Sequence, residues 1–140
     1  MKISIIGQGY VGLTLAISAA NAGHQVIGFD VDTNLVSNLL NGVTFVPGIE
    51  QDNLKSLINK GLYTPSSIPK SIIDSKIFVL AVPTPLDNKR LPDLSYLELA
   101  SNIVSDYISS GSLVVNESTS YPGTLRNFIK PIFDKKNKNI

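Results

Sequence analysis

A chain of 140 residues is about one domain long, and a 43% apolar share is enough to give it a core. Twelve Lys and Arg against eleven Asp and Glu leave a net charge of +1, which argues against a nucleic-acid partner or an anionic membrane surface. With no cysteine and a single histidine, disulfides, thiolate metal sites and cysteine nucleophiles are excluded and no metal centre is expected; nor is there an apolar run of the roughly 18 residues that a transmembrane helix needs. A single cytoplasmic domain is the expectation.

The first element is the apolar run Ile3-Ser4-Ile5-Ile6, which reads as a strand. It turns through Gly7-Gln8-Gly9-Tyr10-Val11-Gly12 into a small-residue amphipathic helix that runs to Ala22 and stops at Gly23. A second apolar run, Gln25 to Phe29, is closed by Asp30. Strand, glycine turn, helix, strand and acid form the pattern of a dinucleotide site. A pyrophosphate needs bare backbone N–H groups at a helix N-terminus, where the helix dipole favours negative charge. Gly7 permits the tight turn, Gly9 lets the backbone approach the phosphates, and Gly12 lets the helix pack against the strand. Asp30 follows Gly12 by eighteen residues, close to the about twenty expected of an acid that accepts both adenosine ribose hydroxyls. The start of the chain also mimics a signal peptide, but its glycines interrupt the apolar run and the alternation continues past Ala22.

Asp32 or Thr33 can cap a helix carrying Leu35, Val36, Leu39 and Leu40, ending at Asn41-Gly42. Val46-Pro47-Gly48 breaks the chain. A helix is expected from about Glu50 to Lys60, with Leu54, Leu57 and Ile58 inward and Gly61 as its stop. Leu62-Tyr63-Thr64 reads as a brief strand, Pro65 to Pro69 as loop, and Ile72-Ile73 as one helical turn.

Lys76 to Val82 is a continuous apolar run, as in a strand buried on both faces of a parallel sheet. It leaves through Pro83-Thr84-Pro85, which cannot be helical. Ligands of open α/β sheets bind outside the carboxyl ends of strands, so Thr84 is either a cofactor contact or part of a proline-stiffened loop. Leu86 to Pro92 reads as a solvated loop. Ser95 with Glu98 forms a capping box for a helix whose core stripe is Leu97, Ala100, Val104, Tyr107 and Ile108. Gly111 ends it, Leu113-Val114-Val115 is the next strand, and a helix runs from about Leu125 to Phe133. The fold expected is a single doubly wound parallel α/β sheet of Rossmann type over residues 1–134, with a solvated end over 135–140.

Five motifs in order carry a resemblance: Gly7-Gln8-Gly9-Tyr10-Val11-Gly12-Leu13, Phe29-Asp30-Val31-Asp32, Val82-Pro83-Thr84-Pro85, Pro92-Asp93-Leu94-Ser95-Tyr96, and Asn116 to Thr124. Together, and over nearly the whole chain, they resemble the N-terminal NAD-binding domain of the UDP-glucose/GDP-mannose dehydrogenase family. Members of that family oxidise the C6 hydroxyl of a nucleotide sugar to a carboxylate in two steps, with two NAD per sugar, for surface polysaccharides. The resemblance implies that Tyr10 and Val11 meet the pyrophosphate through backbone N–H groups and that Asp30 binds the adenosine ribose. It further implies that Thr84 and Thr119 lie near the ribose and nicotinamide end, with Glu117 beside them. The branch acting on N-acetylated amino sugars commonly has Glu at the position of Glu117, with a Tyr-Pro-Gly-Thr-like continuation; the UDP-glucose branch commonly has Lys. An N-acetylhexosamine nucleotide is therefore the implied substrate.

Two departures from the family pattern bear on function. Members often carry a basic residue shortly after the acid of strand two, and Thr33-Asn34-Leu35 offers none; a 2′-phosphate would face a bare carboxylate, which argues against NADP. The family's nucleophilic cysteine, catalytic lysine and most sugar contacts come from later domains, and a thiohemiacetal step needs a thiolate. No catalytic residue is therefore assigned within these residues. The expectation is a fragment that holds cofactor without turnover, monomeric although the full enzymes commonly dimerise through the middle domain.

Other classes fit less well. No tyrosine is followed four positions on by lysine, which excludes a short-chain dehydrogenase, and Gly12 is followed by Leu13, which excludes a phosphate-loop nucleotidase. A methyltransferase could share the turn and the acid, but the third glycine suits a pyrophosphate better. The remaining alternative is a non-catalytic NAD-sensing module that regulates a partner. His24, just after Gly23, reads as a solvated or capping residue.

Overall fold

The structure, a computed structural model, describes residues 1–136. Five strands form one wholly parallel sheet in the order β3-β2-β1-β4-β5: β1 Lys2–Ile6, β2 Gln25–Phe29, β3 Tyr63–Ser66, β4 Ile77–Leu80 and β5 Leu113–Asn116. The chain builds outward from β1 to β3, then returns to start β4 on the other side of β1. The switch point therefore lies between β1 and β4, where open α/β sheets bind their ligands. The doubly wound α/β expectation holds.

Alternation along the central strands makes two cores. Ile3 and Ile5 of β1 pack with Leu13, Ala16, Val26, Leu39, Leu54 and Tyr63 on one face. Ile6 packs with Phe29, Phe78, Leu80, Leu97, Val104 and Phe133 on the other. Helices α1 (Tyr10–Asn21), α2 (Thr33–Leu40) and α3 (Gln51–Asn59) accompany the first core, and α4 (Ser95–Tyr107) and α5 (Lys130–Asp134) the second. This two-sided burial is why β1 and β4 read as near-continuous apolar runs.

Four local expectations are adjusted. Pro65 lies inside β3, opposite Gly28, and not in a loop. β3 is the sheet edge, and an edge strand tolerates a residue without an N–H on its outer side. The start of α4 is not a Ser95 capping box: Leu94 is the N-cap and makes no side-chain cap. Instead the Asp93 carboxylate accepts the Ser95 N–H at 2.9 Å. Hydrogen bonds from Ser95 hold the Asp93 carboxyl below its ordinary range, and an ionised carboxylate outcompetes a hydroxyl as acceptor. The helix expected over Leu125 to Phe133 begins as a π turn, Leu125–Ile129, and becomes α-helical only at Lys130. Pro131 has no N–H to close the α-type bond to Asn127, which favours the wider turn there. Of the one-turn pair, Ile72 is fully buried at the end of a 3₁₀ turn, Pro69–Ile72, while Ile73 is exposed. The Asp32 cap of α2 is as expected, its carboxylate accepting the N–H groups of Asn34 and Leu35 at 2.9 and 3.1 Å. Of the expected solvated end, Lys135 and Lys136 are exposed, with Lys136 bonded to Asp106, and 137–140 lie outside the described residues.

Candidate functional site

The glycine turn closes over the switch point. Gly7 has φ +93°, a left-handed conformation that favours glycine, and a Cβ there would stand 2.5 Å from the Ala81 carbonyl oxygen of the neighbouring strand's exit. Its N–H donates to the Phe29 carbonyl at 2.8 Å, tying the turn to the end of β2. Gly12 is buried inside the turn. A Cβ on it would stand 1.8 Å from the Gly7 carbonyl oxygen, so it serves the close packing of α1 on β1.

Gly9 differs from both. Its φ is −73°, open to any residue, and a Cβ there would meet nothing within 4 Å. Neither backbone conformation nor crowding within the chain demands a glycine at this position. It is the N-cap of α1 and offers no side-chain cap. The first N–H groups of a helix have no intrahelical partner, and no acidic side chain stands in this first turn. Tyr10 and Val11 are largely exposed at this end.

Asp30 stands beside the turn at the carboxyl end of β2. One of its oxygens accepts the Gln8 N–H at 2.7 Å and the other the Asp32 N–H at 3.0 Å. A carboxylate has about four lone-pair positions, so each oxygen keeps one for a further donor. The two backbone bonds fix its orientation. A cleft of about 580 Å³ opens here, bounded by Gly7, Gly9, Tyr10, Val11 and Asp30 on one side and by Ala81, Val82 and Pro83 on the other. The rest of its lining is mostly apolar, with Val31 before α2, Leu35 on α2, and Leu99 and Ile103 on α4, beside Asp32 and Tyr96. Such a wall suits the flat face of a base, while Asp30 and the turn suit a ribose and a diphosphate. The glycine turn, the start of α1 and the Asp30 carboxylate thus meet at one open cleft at the switch point.

The second group of site residues lies along the same carboxyl edge, at the ends of β4 and β5, but does not line this cleft. Thr84 is half-buried in the exit from β4, whereas Glu117 and Thr119 are exposed. They are placed by Ser118, which sequence reasoning passed over. Its hydroxyl accepts the Val82 N–H at 3.0 Å and donates to the Leu80 carbonyl at 3.3 Å. The N–H groups of Glu117 and Ser118 donate to the same carbonyl. Ser118 therefore ties the exit of β4 to that of β5. A larger groove of about 750 Å³, beside β5 and α5, includes Ser112 and Leu113 at the amino end of β5 and none of the predicted site residues. Among the described residues no cluster of three or more His, Cys, Asp or Glu could hold a metal ion, and no helix is long and apolar enough to cross a membrane.

The description "UDP-glucose/GDP-mannose dehydrogenase family, NAD binding domain" matches residues 1–140. The chain belongs to this family. It is 36% identical over 125 residues to UDP-N-acetyl-D-mannosamine dehydrogenase of Pyrococcus horikoshii, covering 89% of this chain and 30% of that protein. It is 38% identical over 132 residues to UDP-N-acetyl-D-glucosamine 6-dehydrogenase of Salmonella typhi, covering 94% of this chain and 30% of that protein. The solved structure of the Pyrococcus horikoshii UDP-D-ManNAc dehydrogenase superposes with a TM-score of 0.93 at 32% identity, over 100% of this chain and 34% of its own. The chain thus spans about a third of the length of these relatives, and the part it spans is their NAD-binding domain, which makes NAD the cofactor.

Proposed function

We propose that this domain holds NAD for an enzyme that oxidises the C6 hydroxyl of a UDP-sugar, an N-acetylhexosamine, to the uronic acid used in surface polysaccharides. The observation that carries the cofactor part is Gly9, a glycine with open space in front of it and no need of glycine in the fold. A missing Cβ there serves a neighbour that is not part of the chain. In this reading the amides of Tyr10 and Val11 meet the diphosphate, Asp30 accepts the adenosine ribose hydroxyls, and Thr84, Thr119 and Glu117 stand at the nicotinamide end. Bound NAD supplies the hydride acceptor; these residues bind and orient it. The N-acetylhexosamine part is supported by Glu117 and by the names of the relatives. The reading is of a cytoplasmic enzyme that is dimeric at full length, and the present chain should sediment as a monomer; a stable dimer of these residues would count against it.

The test is a titration of this chain with NADH, with NADPH and S-adenosylmethionine as controls, repeated on Asp30→Ala. NADH alone should bind, and the substitution should weaken it about 10- to 100-fold, the usual weight of hydrogen bonds to a charged group. Equal affinity for NADPH, or an unchanged affinity in Asp30→Ala, would overturn the assignment. These residues alone should carry no UDP-sugar through to the uronic acid, since they contain no thiol for the second oxidation.

A further inference from the structure

Behind the turn lies a buried polar pair that the cofactor reading does not use. Gln8 and Tyr63 are both fully buried. The Gln8 Nε2 donates to the carbonyls of Ile5 and Gly7, each at 2.9 Å, and the Tyr63 hydroxyl donates to its Oε1 at 2.8 Å. A bond thus runs from edge strand β3 across β2 into the turn after β1. It crosses β2 at Gly28, where a Cβ would stand 2.5 Å from Gln8 Oε1 and 2.6 Å from the Tyr63 ring and hydroxyl. Only glycine leaves that passage open. The Gln8 residue is also the one whose N–H holds Asp30.

We propose that Tyr63 and Gln8 are a positioning pair for the adenosine ribose, Tyr63 fixing the Gln8 side chain and Gln8 fixing both the turn and the Asp30 carboxylate. Each link has an observed partner. The hydroxyl sets which end of the amide faces the turn, because Nε2 must donate to two carbonyls and Oε1 must accept. The amide then holds the carbonyls on either side of Ile6 and so fixes where the Gln8 N–H points. That N–H holds one Asp30 oxygen, and the Asp32 N–H holds the other. Two apolar side chains could fill the same space without burying two polar groups; the polar pair adds direction. The inference rests on Asp30 binding the ribose, as proposed above.

The test is Tyr63→Phe, which removes one oxygen and keeps the ring, with folding checked by circular dichroism. NADH should bind about 3- to 10-fold more weakly, the usual weight of one neutral hydrogen bond. An analogue lacking both adenosine ribose hydroxyls should bind wild type and variant alike, and Tyr63→Phe should have no further effect in an Asp30→Asn background. An equal loss for the analogue, or in Asp30→Asn, would show a structural role alone and overturn the proposal. If wild type binds no NADH, the cofactor reading fails separately, and the pair is judged in the ligand-free protein by hydrogen exchange of the Gln8 amide. Faster exchange in Tyr63→Phe than in wild type, with the Ala81 amide unchanged, supports the pair; equal exchange overturns it. Gln8→Met, which keeps the length and removes all three side-chain bonds, gives the same readings should Tyr63→Phe not fold.

Discussion

The two ends of the carboxyl edge are built differently. At β1 and β2 the site is braced from within: Gly7 is tied to Phe29, Asp30 to Gln8 and Asp32, and Gln8 to Tyr63. At β4 and β5 the buried Ser118 hydroxyl and the N–H groups of Glu117 and Ser118 tie the two strand ends, and the side chains of Glu117 and Thr119 are exposed. β5 is, like β3, an edge of the sheet, and Leu113 on it is 55% exposed, against 1% for Ile5 in central β1. On the proposed reading, geometry for the adenosine half of a dinucleotide would be fixed by internal bonds, whereas the other half would depend on exposed side chains and a proline-rich exit. Binding strength should follow the same division.

The largest effect should come from separating two glycines that look alike in the motif. Gly12→Ala drives a Cβ against the Gly7 carbonyl, a backbone atom that can yield only by moving α1 off β1. Overpacking of this kind costs about 3 kcal/mol, and thermal melting should fall by about 10 °C. Gly9→Ala adds a methyl to open space, so its melting temperature should stay within a degree or two while NADH affinity falls at least tenfold. Scanning calorimetry and the NADH titration together read both. A Gly9→Ala protein that melts like Gly12→Ala would mean that both glycines serve the fold and that the open space at Gly9 is not a ligand's.

A smaller effect sharpens the same contrast through pH. Burial, with a lesser push from the Asp30 charge, raises the Tyr63 hydroxyl above its ordinary value of 10.0. The folded state therefore keeps a proton that the unfolded chain releases. The stability this represents is fully present below pH 10 and is lost as pH rises towards the folded value. Between pH 10 and 11 the loss should reach about 1 kcal/mol, seen as a fall in the urea midpoint. Tyr63→Phe should remove that slope. An unchanged slope would assign the alkaline loss to other groups and leave Tyr63 outside the braced half.

These two regions also differ in how legible they were. The glycine turn, its helix and Asp30 could be placed from spacing alone, because each answers a local backbone requirement within about thirty residues. The brace behind them could not: Tyr63 and Gln8 are 55 positions apart, and nothing local marks the tyrosine of a short strand as a partner for a turn. The apolar wall of the cleft left a faint signal. Leu99 and Ile103 lie four apart on α4, off the stripe of Leu97, Ala100 and Val104 that enters the core, so a second apolar stripe was there to be noticed. The start of α4 was misread because Asp93 and Ser95 are both good capping residues, and only their charge difference decides between them. Pro65 was misread because whether a strand lies at an edge is a property of the sheet, not of its own four residues.

The smallest effects should come from the β4–β5 end, and they decide whether the division between the two halves is real. Glu117 and Thr119 are exposed, so a cofactor that met them would have to order them, and the cost of fixing free side chains offsets much of what each contact returns. Glu117→Gln and Thr119→Val should therefore change NADH affinity by no more than about twofold, less than the weight of one well-placed neutral hydrogen bond. ADP-ribose, which lacks the nicotinamide, should bind wild type nearly as well as NADH does and should not sense either substitution. The same comparison on Asp30→Ala should weaken both ligands equally, because both carry the adenosine ribose. A tenfold loss of NADH in Thr119→Val, with ADP-ribose unchanged, would show the second end already ordered for the nicotinamide in these residues alone, and the contrast between a braced and an open half would fail.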